Sequence, residues 1–347
     1  MKAQDCVPLV EITRGEVVES IHYGAYIVVD SSGKVLAGAG NPELTTFPRS
    51  SMKPFQALPL IEQGGDKFFN LTEQEIAITC ASHSGTDLHQ SVISSMHEKI
   101  GLTIDDLACG IHWPGDSQTR KAMIEAGQEP TPLHHNCSGK HTGMLAQACL
   151  RGLEKKDYID PQHPVQITIR QTLADMVELA PESMALGVDG CSAPVYAIPL
   201  LNMALGVAKL ADPGGLGVTR SMASRKITAA MMNHPVMVAG PGKFDTVLMT
   251  AAKGKLFSKG GAEGYQIIGV MPGASWSKNG LGIAIKIADG DQKDRARAVL
   301  SVHILSALGV LNEQEQGKLS DYRDFRIKNW RGLVVGEVKP VITLVSP

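Results

Sequence analysis

Hydrophobic and polar positions alternate in short β-type runs near both ends of the chain, and they follow a helical period between those ends. β-rich runs separated by turn residues predict a first group of strands at Val7–Thr13, Val17–His22, Ala25–Val29 and Val35–Ala39. A second group is predicted at Gln266–Met271, Gly282–Ala288, Leu333–Val338 and Val341–Val345. Because an isolated hairpin is only marginally stable, we expect the two groups to join in one antiparallel sheet.

The middle of the chain carries helical patterns with start and stop signals. Thr72-Glu73-Gln74-Glu75 has the form of a capping box, and the apolar residues of 87–100 recur on one helical face. Helices are predicted at about 53–63, 72–80, 87–100, 139–153, 164–178, 194–211, 219–233 and 293–308. Residues 101–137 contain several prolines and are predicted to be irregular.

This order of elements predicts an α+β fold, in which an antiparallel sheet is flanked by helices. We expect a single catalytic domain over residues 1–347. A mainly helical part at 72–235 would be inserted between the sheet-forming segments 1–71 and 236–347.

Composition narrows the class of protein. The 347 residues are 43% hydrophobic and 20% charged, which is typical of a globular chain. The net charge of −2 gives no electrostatic case for nucleic acid, and no apolar run approaches the ~18 residues of a membrane span. Six scattered cysteines without a CxxC pair fit reduced thiols, and Met1–Val10 lacks the apolar region of a secretory signal. We therefore expect a cytoplasmic protein that binds neither nucleic acid nor membrane.

The first candidate for chemistry is Ser50, which stands three residues before Lys53 at the start of a predicted helix. Positions i and i+3 share one helix face, so the two side chains can meet. A serine hydroxyl becomes a nucleophile when an adjacent base takes its proton, and a neutral lysine amine can be that base. The neighbouring Arg49 is a cation that can favour a neutral lysine or receive a substrate carboxylate. The competing interpretation is a serine N-cap followed by an exposed lysine.

Two further segments carry hydroxyl and amine groups. Cys80-Ala81-Ser82-His83-Ser84-Gly85 is a small-residue turn after an apolar helix, and it offers a second hydroxyl or a histidine for proton transfer. Phe257-Ser258-Lys259-Gly260-Gly261 places Lys259 in a predicted loop just before a strand. Together with Ser50 and Lys53, this order is similar to the three motifs of serine β-lactamases and penicillin-binding proteins. The alternatives are a plain helix end and a solvated surface lysine.

The segment 134–141 is dense in reactive groups. His135, Cys137 and His141 are zinc ligands by residue type, although their spacing matches no common zinc pattern. Ser138-Gly139-Lys140 at a helix start is also of a kind that binds anions. Gly187-Val188-Asp189-Gly190-Cys191 suggests a tight turn that presents a carboxylate, for which a substrate ammonium would be a natural partner. A turn followed by an N-cap explains that last segment equally well.

Taken together, these motifs resemble the rhizobial-type, or class 3, L-asparaginases of the asparaginase II family. The matching segments cover most of residues 10–310 and are Arg49-Ser50-x-x-Lys53-Pro54, Cys80-Ala81-Ser82-His83-Ser84, Asn136-Cys137-Ser138-Gly139-Lys140-His141-x-Gly143-Met144-Leu145, Asp189-Gly190-Cys191, His234-Pro235-x-Met237-Val238-Ala239-Gly240 and Gly282-x-x-x-x-Lys286-Ile287-x-Asp289-Gly290. The run Asn-Cys-Ser-Gly-Lys-His is highly specific. The chain departs from the family at Phe244-Asp245-Thr246, where the family has a cysteine-containing pattern.

The resemblance implies a fold of the serine β-lactamase, penicillin-binding-protein and glutaminase type, a homodimer, and hydrolysis of L-asparagine to L-aspartate and ammonia. By motif match, the catalytic residues would be Ser50, Lys53, Ser82 and Lys259. The resemblance also implies one zinc per chain, and its ligands would be Cys137, Lys140 and Cys191. In our interpretation Asp189 holds the substrate ammonium, while Arg49 and His141 are further substrate-binding candidates.

Several alternatives stay open at this point. Glutamine differs from asparagine by one methylene, a difference worth only about 1–3 kcal/mol in a pocket, so a glutaminase or another small-amide serine hydrolase is one alternative. Zinc-bound water as the nucleophile is another. A third is a catalytically silent amino-acid-binding protein with a structural zinc. The sequence leaves undecided which of the two serines attacks.

Overall fold

The computed structural model describes residues 1–344. The chain divides into two compact units. Unit 1 consists of Met1–Ser51, Ile198–Asp212 and the chain from Val247 onwards, and unit 2 consists of Met52–Ala197 and Pro213–Thr246. The sequence-based expectation of one catalytic domain with a helical insertion at 72–235 stays a prediction.

Strands occur in both units. In chain order they are β1 (Val7–Arg14), β2 (Val17–Asp30), β3 (Val35–Ala39), β4 (Thr45–Thr46), β5 (Leu186–Val188), β6 (Pro194–Tyr196), β7 (Ile198–Pro199), β8 (Leu256–Gly261), β9 (Tyr265–Val270), β10 (Leu281–Ile287), β11 (Arg326–Lys328) and β12 (Val334–Pro340).

Helices make up most of unit 2 and flank the strands of unit 1. They are α1 (Lys53–Glu62), α2 (Gly65–Phe68), α3 (Glu73–Thr79), α4 (Asp87–Ile100), α5 (Ser117–Glu125), α6 (Ser138–Leu150), α7 (Pro164–Val177), α8 (Leu200–Ala211), α9 (Val218–Asn233), α10 (Pro235–Val238), α11 (Phe244–Ala252), α12 (Ala296–Ala307), α13 (Glu313–Lys318) and α14 (Ser320–Arg323). Within residues 1–344, none of these helices has the length and apolar character that a bilayer span requires.

Unit 1 is built on an eight-stranded antiparallel sheet. Its order is β11-β12-β1-β2-β10-β9-β8, with β3 also paired to β2. The early and late strands meet where β2 runs antiparallel to β10, from Gly24 beside Ile287 to Asp30 beside Leu281. Helix α8 packs on β2 and β10, and α12 packs on β1, β10 and β12. The α+β class and the joining of the two strand groups are therefore confirmed.

Unit 2 is organised around α1, which is buried along almost its whole length. A helix that is enclosed on all sides needs apolar residues around its circumference, and the stretch from Pro54 to Ile61 supplies them, with Gln56 as its one polar residue. Helices α6, α7 and α9 pack on it. The predicted capping box starts α3, because the Thr72 Oγ1 accepts the Glu75 N–H at 3.3 Å while the Glu75 Oε2 accepts the Thr72 N–H at 2.7 Å. Lys53 thus begins a helix that lies in the core of its unit.

Several predicted boundaries are wrong. Residues 17–30 form one long strand instead of two, because Gly24 continues the strand where a turn was expected: a Cβ there would lie 2.1 Å from the Lys286 O, so only glycine fits this close pairing. The helix predicted from 194 begins only at Leu200, since Pro194–Tyr196 pairs with Leu186–Val188 as a hairpin. The β-branched and aromatic residues Val195 and Tyr196 favour that strand.

Three other predictions of secondary structure also differ from the structure. Lys259 lies inside strand β8, which pairs with β9, and not in a loop before a strand. Helices α5 and α11 were missed, the first inside the region predicted to be irregular. The closing strand predicted at Val341–Val345 is absent over residues 341–344, while Val345 lies outside the described residues.

Candidate active site

Lys53 contacts side chains from two other candidate segments of unit 2. It is the first residue of α1, and its side chain is fully buried. Its Nζ donates hydrogen bonds to the Ala81 O at 2.5 Å, the Ser82 Oγ at 2.9 Å and the Cys137 Sγ at 3.2 Å. A buried polar group needs hydrogen-bond partners. These three acceptors supply them, and they bring Lys53 into direct contact with two of the other predicted motifs.

The loop that carries Ser82 is held by backbone hydrogen bonds. It follows α3, and the Ser82 N–H donates to the Val238 O at 2.9 Å while the His83 N–H donates to the Asn136 O at 3.2 Å. The Ser84 Oγ donates to the Ala239 O at 2.7 Å. Ser82 itself is half-buried. Its hydroxyl therefore has a fixed position beside Lys53.

His83, the other candidate for proton transfer in this loop, is engaged elsewhere. Its Nδ1 accepts the Gly85 N–H at 3.1 Å, so its Nε2 donates to the Ser138 Oγ at 2.9 Å. Burial holds the pKa of His83 well below its ordinary value, and the ring is neutral. Because both ring nitrogens are occupied, His83 fixes the start of α6.

The two predicted cysteine ligands and Lys140 come together in unit 2. The Lys140 Nζ donates to the Cys191 Sγ at 2.8 Å. A hydrogen bond from the Cys191 thiol, with the charges of Lys53 and Lys140, holds the pKa of Cys137 well below its ordinary value. The same hydrogen bond, together with burial, raises the pKa of Cys191. Of the two neighbouring thiols, Cys137 is therefore the one whose pKa is lowered.

These residues form what we call the lysine–cysteine cluster: Lys53, Ser82, Cys137, Lys140 and Cys191. Within residues 1–344, no three His, Cys, Asp or Glu side chains are arranged to hold a metal, so a zinc here depends on an amine ligand. Two thiolates and an amine are a chemically suitable donor set for zinc. Burial lowers the pKa of Lys140, but the charges of Cys137 and Cys191 more than offset this and raise it. Metal binding at this set therefore has to release the Lys140 proton.

Asp189 lies at the turn of the hairpin formed by β5 and β6, which also carries Cys191. Its Oδ1 accepts the Gly190 N–H at 2.9 Å, and the Cys191 Sγ lies 3.9 Å from its Oδ2. The turn is closed by a hydrogen bond from the Asp189 N–H to the Ala193 O, and Ser192 adopts a left-handed φ of 69°. The hairpin thus presents a half-buried carboxylate beside the cluster.

His141 is fully buried in the first turn of α6. Its Nδ1 lies 2.6 Å from the Tyr158 Oη, and its Nε2 has no hydrogen-bond partner in the structure. Burial, with the charge of Lys140, lowers the pKa of His141 well below its ordinary value. His135 is the other histidine of the motif, and its Nδ1 accepts the Cys137 N–H at 3.0 Å, which orients the segment that carries Cys137.

The remaining candidates belong to unit 1, where the serine loop, residues 48–51, lies beside strand β8. The Ser51 Oγ donates to the Lys259 O at 2.8 Å, and the Lys259 Nζ donates to the Gly260 O at 2.6 Å. A Cβ at Gly261 would lie 2.3 Å from the Pro48 O, so the backbones of loop and strand touch. Ser50 and Lys259 are therefore carried by two segments that are fixed to each other.

Arg49, just before Ser50, has a left-handed φ of 52°. This conformation is uncommon for a residue with a side chain and costs of order 1–3 kcal/mol. It occurs at the start of a short 3-10 helix, Arg49–Met52.

Sequence reasoning missed Tyr158 and Ser51. Tyr158 lies in the polar segment between α6 and α7, where no motif distinguishes it from the charged residues around it. Ser51 was passed over because its hydroxyl bonds to a backbone oxygen more than 200 positions away. A pattern of neighbouring residues carries no signal for either contact.

The family model described as L-asparaginase II matches residues 10–340. No curated protein matches the chain. Among solved structures, a probable glutaminase from Bacillus subtilis is 13% identical over 83% of this chain and 84% of that chain, with a TM-score of 0.42. A Bacillus glutaminase is 14% identical over 83% of this chain and 92% of that chain, with a TM-score of 0.40. Similarities this remote carry no conclusion about substrate or mechanism.

Proposed function

Because the chain belongs to the L-asparaginase II family, and is therefore an amidohydrolase that acts on a small amide, we propose that its substrate is L-asparagine and its products are L-aspartate and ammonia. The observation that carries the proposal is the fully buried Lys53, whose Nζ contacts the Ser82 hydroxyl. A lysine placed against a serine is an established variant of the nucleophile–base pair in amide hydrolysis.

The proposed reaction is a double displacement. The Ser50 Oγ attacks the side-chain amide carbon, and Lys53, acting as a neutral amine three residues further along the chain, takes the hydroxyl proton. The tetrahedral intermediate then breaks its C–N bond. The 2.9 Å hydrogen bond between Lys53 and Ser82 supplies a path for the proton to the leaving ammonia. Water hydrolyses the resulting ester, and Ser50 regains its proton as L-aspartate leaves.

Lys259 is proposed as the amine of a second Ser–Lys pair with Ser82. Its side chain is buried in β8, and its backbone carbonyl is fixed to the serine loop by Ser51. Lys259 would activate the water that hydrolyses the ester.

Substrate recognition is proposed to use opposite charges. The Asp189 carboxylate would bind the α-ammonium group, and the Arg49 guanidinium would bind the α-carboxylate. His141 supplies a further polar contact to the substrate. An amino acid is zwitterionic at neutral pH, so one anionic and one cationic side chain form a minimal set for its recognition.

We propose that Cys137, Lys140 and Cys191 hold one zinc ion per chain, because the donor set fits that metal and all three residues are buried. When bound, zinc supplies a positive charge and an open position for an oxygen ligand. The chain's own residues account for the attack and the proton transfers described above. A homodimer and a cytoplasmic location stay predictions.

Ammonia release from L-asparagine and from L-glutamine, measured with and without a zinc chelator, tests substrate, reaction and metal together. We expect the larger kcat/KM with L-asparagine. A larger value with L-glutamine would favour the glutaminase alternative, and full turnover after quantitative zinc removal would eliminate zinc-bound water as the nucleophile. Binding of L-asparagine without ammonia release would indicate a silent binding protein and overturn the proposal.

A further inference from the structure

Tyr158 connects a backbone amide to a candidate site residue through its hydroxyl. The side chain is 2% exposed. Its Oη accepts the Ala108 N–H at 2.9 Å and lies 2.6 Å from the His141 Nδ1. The tyrosine is itself held in place, because the fully buried Gln166 of α7 donates its Nε2–H to the Tyr158 O at 2.8 Å. These hydrogen bonds therefore hold Tyr158 in one position, where its hydroxyl connects the Ala108 N–H to His141.

This geometry determines which nitrogen of His141 carries the proton. The Ala108 N–H can only donate, so it occupies one acceptor position of the phenol. The phenol hydrogen then needs an acceptor, and the His141 Nδ1 is the one within reach in the structure. If Nδ1 donated instead, the buried phenol hydrogen would have no partner. His141 therefore accepts at Nδ1 and carries its hydrogen at Nε2.

The hydrogen at Nε2 has no acceptor among residues 1–344. His141 is fully buried, and its Nε2 has no partner in the structure. An unsatisfied buried donor costs about 1–3 kcal/mol, and native proteins rarely keep one without a reason. The backbone N–H of His141 donates to the Cys137 O at 3.0 Å, and the charges of Lys140 and Cys137 act on the pKa of its imidazole, so this donor lies close to the lysine–cysteine cluster. An oxygen atom of the bound substrate is an acceptor of the right kind for it.

We propose that Tyr158 is a positioning residue for the amidohydrolase reaction: it holds His141 in the Nε2–H tautomer, so that this nitrogen donates a hydrogen bond to a substrate oxygen. The assignment rests on the proposed function for its substrate, while the tautomer follows from the protein alone. Tyr158 acts only through His141. Its loss therefore weakens substrate binding and leaves the chemical step largely intact.

Nitrogen-15 NMR of histidine-labelled protein tests the tautomer without any substrate. The His141 signals are assigned with a His141→Gln variant. We expect Nδ1 to show the shift of an unprotonated ring nitrogen and Nε2 that of a protonated one. Tyr158→Phe removes the hydroxyl while keeping the ring, and we expect it to give a mixture of tautomers. A protonated Nδ1 in the wild type would overturn the proposal even if Tyr158→Phe failed to fold.

Kinetics test the consequence for the substrate. We expect Tyr158→Phe to raise the KM for L-asparagine about tenfold and to change kcat less than about threefold. The matched control is Tyr196→Phe, which removes another buried tyrosine hydroxyl of unit 2, one that has no hydrogen-bond partner. We expect the control to keep the wild-type KM.

A double variant separates positioning from packing. Glutamine at position 141 keeps an N–H donor that needs no tautomer, so in the His141→Gln background Tyr158→Phe should change KM less than about twofold. An unchanged KM for Tyr158→Phe in the wild-type background, or an equal rise in both backgrounds, would overturn the proposal. If the protein releases no ammonia from L-asparagine, the substrate assignment fails while the NMR experiment still decides the tautomer.

Discussion

The serine loop of unit 1 and the lysine–cysteine cluster of unit 2 are held in place by different means. The cluster depends on side chains: Lys53 alone makes three hydrogen bonds, two of them to side-chain atoms. The serine loop depends on backbone: the Ser51 hydroxyl bonds to a carbonyl of β8, and Gly261 admits the Pro48 O at close range. The charged and ionisable groups are thus concentrated in the cluster, where side chains hold one another in place. The loop that carries Ser50 is instead positioned by contacts of its backbone with β8.

The largest effect should come from the lysine at the centre of the cluster. Lys53→Met keeps an unbranched apolar side chain but removes the base and the hydrogen bonds to Ser82 and Cys137. We expect kcat for ammonia release to fall at least about 10⁴-fold, because loss of the base alone costs a serine hydrolase about 10⁶-fold in kcat. The control is Lys226→Met, which removes a lysine of the same unit that pairs with Asp66 and should leave kcat within about threefold. Turnover of Lys53→Met at the control's level would contradict the central role of the cluster.

Zinc affinity should depend on two buried cysteines of unit 2 and not on a third. Cys137→Ser or Cys191→Ser removes one proposed ligand, and we expect at least about a tenfold loss of zinc affinity. Cys109→Ser is the matched control, because Cys109 is buried in the same apolar cluster and is not a proposed ligand. Zinc content per chain by elemental analysis is the measurement. Equal zinc content in all three variants would show that Cys137 and Cys191 are not zinc ligands.

The serine loop should respond to a single methyl group on the neighbouring backbone. In Gly261→Ala the new Cβ would lie 2.3 Å from the Pro48 O and 2.9 Å from the Ser51 Oγ. We expect the free energy of unfolding to fall by about 1–3 kcal/mol and ammonia release to decrease as the loop moves. Gly317→Ala, in open space on α13, should be neutral or slightly stabilising. Urea unfolding of both variants checks this, and equal stabilities would show that the loop does not depend on backbone fit.

The smallest expected effect is on the pH dependence of the free energy of unfolding, and it comes from a histidine of unit 2. Burial lowers the pKa of His97 on α4, whose Nε2 hydrogen-bonds to the Thr142 Oγ1 at 3.0 Å. Its folded pKa lies below the unfolded value of about 6.5, so its contribution to stability is complete above that pH and is lost as the pH falls toward the folded value. His97→Gln should therefore lose less stability between pH 7.5 and 5.5 than the wild type does, by up to about 1 kcal/mol. Identical losses in urea unfolding would contradict this.

The sequence predicted local elements better than the contacts between separate segments. Capping and periodicity located α3 and α4 because those signals are local. Motif spacing pointed to Ser50 and Lys53, while the family resemblance singled out Cys137 and Lys140 as zinc ligands. The long β2 was split at Gly24 because the reason for that glycine, the carbonyl of Lys286, lies more than 260 positions away. Lys259 was placed in a loop because two glycines usually interrupt a strand, whereas here one of them accommodates the serine loop.

Contacts between distant segments explain the rest. The motifs gave no sign that Lys53 would touch Cys137, or that Tyr158 would bond to His141. The first contact forms when α1 and α6 pack in the core of unit 2, and the second forms when the segment after α6 packs against that helix. Packing therefore decides which of the side chains that the motifs single out come into contact.

The most direct test of the account is to find the serine that carries the acyl group. Wild-type protein is mixed with L-asparagine, quenched in acid during turnover, digested and examined by mass spectrometry, with Ser50→Ala and Ser82→Ala treated in parallel. The account predicts the added mass of an aspartyl group on the peptide that contains Ser50, present in the wild type and absent in Ser50→Ala. An aspartyl group on the Ser82 peptide, or undiminished ammonia release by Ser50→Ala, would contradict it.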